Sequence, residues 1–202
     1  MFVAGGGILM AVITAEALYP ARYTTHLNEI SDLGATRPPN SVILQPSATI
    51  FDLAMVGAGI LVVVAAVLLF LATRNRTCSI PLALLGFGVL GVGLFPGNTF
   101  PHPYFALLAF TAGGAAAILA WGLVSRPMRY LSALLGAVTL VSLVLAEVPL
   151  DWGPVASLGA GGIERWIAYP VVLWLAGFGG FLLADRTPNL EVRPGFGGTD
   201  DT

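Results

Sequence analysis

Apolar runs broken by short polar interruptions set the plan of this chain. Six runs reach or approach the length of a membrane span, at about residues 2–19, 48–72, 80–95, 104–124, 130–146 and 166–184. A hydrocarbon core about 30 Å thick needs about 20 helical residues to cross it. Inside it, only helices or closed barrels satisfy every backbone polar group. The pattern predicts an all-α polytopic membrane protein. A six-transmembrane-helix bundle occupies residues 1–186, and a short tail, 187–202, is expected to be flexible because it is polar and rich in Gly and Pro.

The longest polar interruption runs from Thr24 to Asp52 and predicts a structured extracytoplasmic loop between the first two spans. Pro20 ends the first helix. Thr24 or Thr25 is placed to N-cap a short helix that Gly34 terminates. Leu27, Ile30 and Leu33 recur every three residues, with His26, Glu29 and Asp32 one position earlier. Such a segment is expected to lie flat, apolar stripe toward the bilayer or the bundle and polar stripe toward water. Pro38, Pro39 and Pro46 predict extended chain after it. Glu16, in the last turn of the first span, needs a partner or the interface, and Arg22 is the nearest candidate. A Gly-rich loop holding Asp151, Trp152 and residues 157–162 is expected before a last span that opens with Glu164-Arg165-Trp166.

Composition sharpens the class. Only 10% of the 202 residues are charged and mean hydropathy is +0.86, whereas soluble domains carry about 25% charged residues. The net charge of −2 excludes a nucleic-acid partner, which needs a basic surface. Cys78 is the single cysteine, so an internal disulfide and a multi-thiolate metal site are excluded. Ala15-Glu16-Ala17 mimics a signal cleavage site, but no basic residue precedes the apolar run, so the run is read as a span.

Every basic residue is arginine. Arg74, Arg76, Arg126, Arg129, Arg186 and Arg193 fall on one side of the expected topology, and Arg22, Arg37 and Arg165 on the other. The positive-inside rule then predicts a multi-pass plasma-membrane protein with both termini cytoplasmic. Trp121, Trp152 and Trp166 near span ends fit an interfacial aromatic belt.

Several short motifs carry a family resemblance. Ile30-Ser31-Asp32-Leu33-Gly34-Ala35, then Pro38-Pro39 and Ile50-Phe51, followed by Gly91, Phe95, His102, Glu164 and Trp166, lie in this order along the chain. The set resembles the damage-regulated autophagy modulator / Frag / Sfk membrane family and its prokaryotic relatives in domain-of-unknown-function family 998. The resemblance implies six spans with cytoplasmic termini and, from the eukaryotic members, a connection with lipid handling. Leu33 and Asn40 depart from the eukaryotic motif, where Thr and an acid often stand.

The candidate chemistry gathers on the outer side. His26, Glu29, Asp32, Asp52, His102, Glu164 and Arg165 form an expected polar cluster at span ends, where charge is far cheaper than the roughly 2.5–3.5 kcal/mol of mid-bilayer. One reading is a structural cap, with Asp32 and Glu164 pairing with arginines and backbone amides. A second is a lipid head-group site using Arg22, Arg37 and Arg165, since guanidinium matches phosphate in bidentate fashion. A third is a metal-dependent membrane hydrolase with His26 and His102, together with Glu29, Asp32 or Asp52, as ligands around an activated water, although no HExxH is present. Transport is disfavoured because no inverted repeat or mid-span charge is visible. The favoured expectation is a non-enzymatic, lipid-associated or assembly membrane protein with no cofactor. The hydrolase acting on a lipid is the alternative. Membrane lipids are the expected partners, with other membrane proteins as candidates through small-residue faces such as Ala109, Gly113 and Ala117.

Overall fold

The computed structural model describes residues 1–147 and 153–184. Among them there are six α-helices and no strand. These are α1 (Phe2–Ala17), α2 (Ser47–Thr73), α3 (Arg76–Leu94), α4 (His102–Leu119), α5 (Met128–Leu145) and α6 (Gly153–Ala184). Asp151, Trp152, Arg186, Arg193 and the 187–202 tail lie outside the described residues.

Five helices, α2 to α6, are long and apolar enough to cross a membrane. The first is shorter than the expected 2–19 span. Its 16 residues rise about 24 Å at roughly 1.5 Å each, less than a hydrocarbon core of about 30 Å. Large apolar side chains such as Val64, Leu68 and Leu71 on α2, or Leu134 and Val141 on α5, stand exposed on the outer faces. Surfaces of this kind are stable only against hydrocarbon, and the chain is an integral membrane protein.

Neighbours in sequence pack as neighbours in space, and α6 returns to α1, so the helices close a ring. Small residues set the spacing. A Cβ on Gly59 would lie 2.5 Å from the Leu90 amide nitrogen, and one on Gly86 would lie 2.7 Å from that of Val63. The α2–α3 pair can therefore be this close only with hydrogen at both positions. Gly113 meets Val171 of α6, and Ala109 packs on Gly88 of α3, so these small residues serve packing within the bundle. Sparse hydrogen bonds add to the packing. Thr139 Oγ1 donates to the Ile167 carbonyl at 3.1 Å and Trp174 Nε1 to Ser132 Oγ at 3.1 Å, both across α5–α6.

Three expectations about local structure fail. The amphipathic helix after Thr24 does not form; Thr25–Leu27 is a turn and Ser31–Leu33 a single 3-10 turn. Local side-chain bonds capture the backbone first. Asn28 Oδ1 accepts from the Thr24 amide at 3.0 Å, and Asp32 Oδ2 accepts from the Glu29 amide at 3.0 Å. This is the competition that disfavours such residues within helices. The apolar triplet splits accordingly, with Ile30 and Leu33 buried but Leu27 70% exposed. The proline stretch also folds back instead of running extended, because the Thr36 amide reaches the Val42 carbonyl at 3.0 Å.

The third failure is in α6, which begins at Gly153 and not beside Glu164, so residues 157–162 are helix rather than loop. The helix is broken once, at Gly159 (φ 66°, ψ 176°). Glycine's low helix propensity suggested a loop. The glycines serve a different purpose, described below.

Gly59→Ala should cost about 1–3 kcal/mol through helix separation. Gly57→Ala, with open space around its Cβ position, should change stability by no more than about 1 kcal/mol. Thermal unfolding of the two variants in one detergent checks the contrast.

Candidate functional site

The chain between α1 and α2 crosses the end of the bundle as a strap, and one residue of α6 holds it there. Arg165 is only 9% exposed. Its Nη1 donates to the carbonyls of Gly161, Asn28 and Thr25 at 2.8, 2.9 and 3.2 Å. Its Nη2 donates to Glu16 Oε1 at 2.5 Å and to the Tyr23 hydroxyl at 2.8 Å. Tyr23 passes the connection on, donating to the Glu29 carbonyl at 2.8 Å, and its ring lies under the guanidinium at 5.7 Å. The partner of Glu16 is thus Arg165, not Arg22, which stands exposed.

Gly159 and Gly161 make this contact possible. A Cβ on Gly161 would collide with the Asn28 carbonyl oxygen, and one on Gly159 with that of His26. The Gly161 amide donates to the His26 carbonyl at 3.1 Å. The strap backbone therefore lies directly on the α6 backbone.

The two acids expected to meet arginines take backbone amides. Glu164 Oε2 accepts from the Ile30 amide, and Asp32 caps its own loop through Glu29 N and Asn28 Nδ2. Asp52 sits under Gly34, its Oδ1 buried without a hydrogen-bond partner, and a Cβ on Gly34 would meet that oxygen at 2.7 Å. His26 is exposed over Gly159, while His102 is buried in the α3–α4 turn, its Nδ1 2.7 Å from the Phe95 carbonyl. The structure does not assemble His26, His102 and Asp32 into a ligand set. Among the described residues no three His, Cys, Asp or Glu side chains come together as a metal ion would require.

Beside the strap, a groove of about 860 Å³ opens between α4 and α6, bounded by the end of α5. Glu29, Arg37, His102, Glu147 and Glu164 line its polar end, and Leu107, Phe110, Leu143 and Ile167 its apolar walls. Arg37 pairs with Glu29 at 2.7 Å. Ser31, Ala106, Phe110 and Glu164 also border a second, apolar cavity of about 80 Å³ at the centre of the ring. Six of the expected cluster residues therefore belong to the strap or lie against it (His26, Glu29, Asp32, Asp52, Glu164 and Arg165), and three line the groove (Glu29, His102 and Glu164). Of the three arginines assigned to head-group binding, only Arg37 faces the groove. Sequence reading missed Tyr23, Asn28, Ala106 and Phe110, which carry no motif of their own; only Tyr23, polar and beyond the end of α1, gave a signal.

Burial pushes the Glu29 carboxyl above its usual range, and the Arg37 guanidinium opposes the shift. Burial likewise pushes the Tyr23 hydroxyl up, keeping it protonated and able to donate.

A model of the family described as "Protein of unknown function (DUF998)" matches residues 3–180. The chain belongs to this family. The resemblance to family 998 is therefore borne out, and the matched region takes in both the strap and the groove. No curated protein and no solved structure matches the chain.

Two outcomes test this geometry. Arg165→Lys, which cannot span five acceptors, should cost about 3 kcal/mol and expose residues 24–46 to protease. Glu164→Gln keeps an oxygen for the Ile30 amide and should cost much less. The second outcome concerns pH. Because the fold raises the Glu29 pKa, it favours the neutral acid. That contribution is present below the ordinary glutamate range and is lost as pH rises through the shifted value. The slope of Tm against pH across this window should flatten in Glu29→Gln.

Proposed function

We propose that this chain binds a membrane lipid in the groove between α4 and α6, with the head group at the polar end beneath the strap. The observation that carries the reading is the groove's division along its length. One end presents charged and hydrogen-bonding groups and the rest is apolar. Its volume falls within the roughly 300–1,000 Å³ of ligand sites. Its apolar walls, Leu107, Phe110, Leu143 and Ile167, belong to membrane-spanning helices, so an acyl chain meets apolar surface there.

In this reading α1 acts as the sixth membrane helix, extended by Leu18 and Tyr19 to the interface. The strap end faces outward and both termini lie in the cytoplasm. Arginine placement supports that orientation. Arg74 and Arg76 flank the Phe70 ring, Arg126 lies over Tyr130 and Arg129 over Trp121, all at the end opposite the strap. Arginines and aromatics of this kind mark a cytoplasmic interface. The strap itself is the structural cap over the bundle, and the groove beside it is the binding element.

Native mass spectrometry of protein extracted in mild detergent should show retained lipid. Ala106→Phe, which fills the junction of groove and central cavity, should reduce that lipid several-fold. An unloaded wild-type protein whose Tm ignores added lipid would sink the proposal.

A further inference from the structure

The charges at the polar end select among head groups, and this inference rests on the lipid-binding reading above. All Nη donors of Arg165 are engaged by Gly161, Asn28, Thr25, Glu16 and Tyr23, its Nε is buried without a partner, and the residue does not line the groove, so its guanidinium does not reach a phosphate there. Arg22 does not line the groove, and Arg37 is already paired with Glu29. Beyond this pair the groove sets two further acids, Glu147 and Glu164, and no further arginine.

His102 points the same way independently. The residue is 7% exposed and lines the groove. Its Nδ1 faces the Phe95 carbonyl at 2.7 Å. A carbonyl only accepts, so Nδ1 carries the proton and Nε2 of the neutral ring is left as a lone-pair acceptor. No hydrogen bond within the protein satisfies Nε2 among the described residues. The polar end is therefore rich in acceptors and in negative charge.

We infer that the groove binds a zwitterionic phospholipid bearing a primary ammonium. The ammonium lies at the polar end that Glu164, Glu147 and His102 line, and the phosphate is at Arg37. A primary ammonium brings three N–H donors and matches both the charge and the acceptors. A trimethylammonium head group has the same charge but no N–H donor. A purely anionic head group meets repulsion from the carboxylates.

The test is retention by the full-length protein in mild detergent, read by native mass spectrometry. The protein is given equimolar phosphatidylethanolamine, phosphatidylcholine and phosphatidylglycerol with identical acyl chains. Phosphatidylethanolamine should be retained about tenfold over phosphatidylcholine, as one charge-assisted hydrogen bond provides, and phosphatidylglycerol least. Glu164→Gln should bring the first two toward parity by lowering retention of phosphatidylethanolamine, with that of phosphatidylcholine little changed. Equal retention of the first two by the wild type, which needs no variant, overturns the inference but leaves lipid binding standing. Preference for phosphatidylglycerol, or an undiminished preference in Glu164→Gln, also overturns it. Thermal stabilisation by free ethanolamine without lipid would assign the subsite to a soluble amine and overturn the lipid assignment. Retention of no lipid at all defeats the underlying reading instead.

Discussion

The loop end of this bundle depends on one guanidinium. The carbonyls of Thr25, Asn28 and Gly161 converge where water is scarce, and Arg165 donates to all three while also holding Glu16 and Tyr23. Unpaired carbonyls there would each carry a desolvation cost, so the strap can lie on α6 only while the guanidinium is present. The charge in turn is tolerable because Glu16 balances it and because it sits near a helix end, not at mid-bilayer. Arginine suits the position because its fork is planar and serves several acceptors at once, which a lysine ammonium does not do in fixed geometry.

That interaction makes a specific demand on the α6 backbone. A carbonyl can be brought to the guanidinium from outside the helix only if the helix has no side chain in the way. Gly159 and Gly161 meet this demand, the first with a positive φ and the second with a surface flush enough for Asn28. The helix break at Gly159 follows from the same contact. Here packing between strap and helix overrides the low helix propensity of a glycine-rich segment.

Much of the fold was legible before any coordinates. Low charge and long apolar runs gave the membrane class and the order of the helices. Span boundaries away from glycine and proline follow hydropathy within a few residues, as at α2 and α5. Two features were hidden because they depend on tertiary contact. The helicity of residues 153–162 requires the strap beside it. The absence of a helix after Thr24 requires Asn28 and Asp32 to bond locally instead of facing solvent. The polar cluster was legible as a set of residues, since acids and histidines stand out in so apolar a chain. Its division was not. Nothing in one dimension separates Asp32, turned into its own loop, from Glu29, three residues earlier and facing the groove. For the same reason Arg165 reads like any rim arginine until its acceptors are counted.

The division of the rim also determines where a ligand can enter. The strap closes the axial end of the ring, with Ile30 and Ser31 over the central cavity and Leu33 fully buried beside them. An approach from water along the ring axis would have to displace backbone that Arg165 and Glu164 hold. At the seam between α4 and α6, Ala106 and Phe110 border both the central cavity and the groove. Under the lipid-binding reading, the network that uses up one arginine for structure therefore does two things to the site. It removes from the groove the cation that would have favoured an anionic head group. It also closes the axial route, so the occupant is drawn from molecules already dissolved in the bilayer.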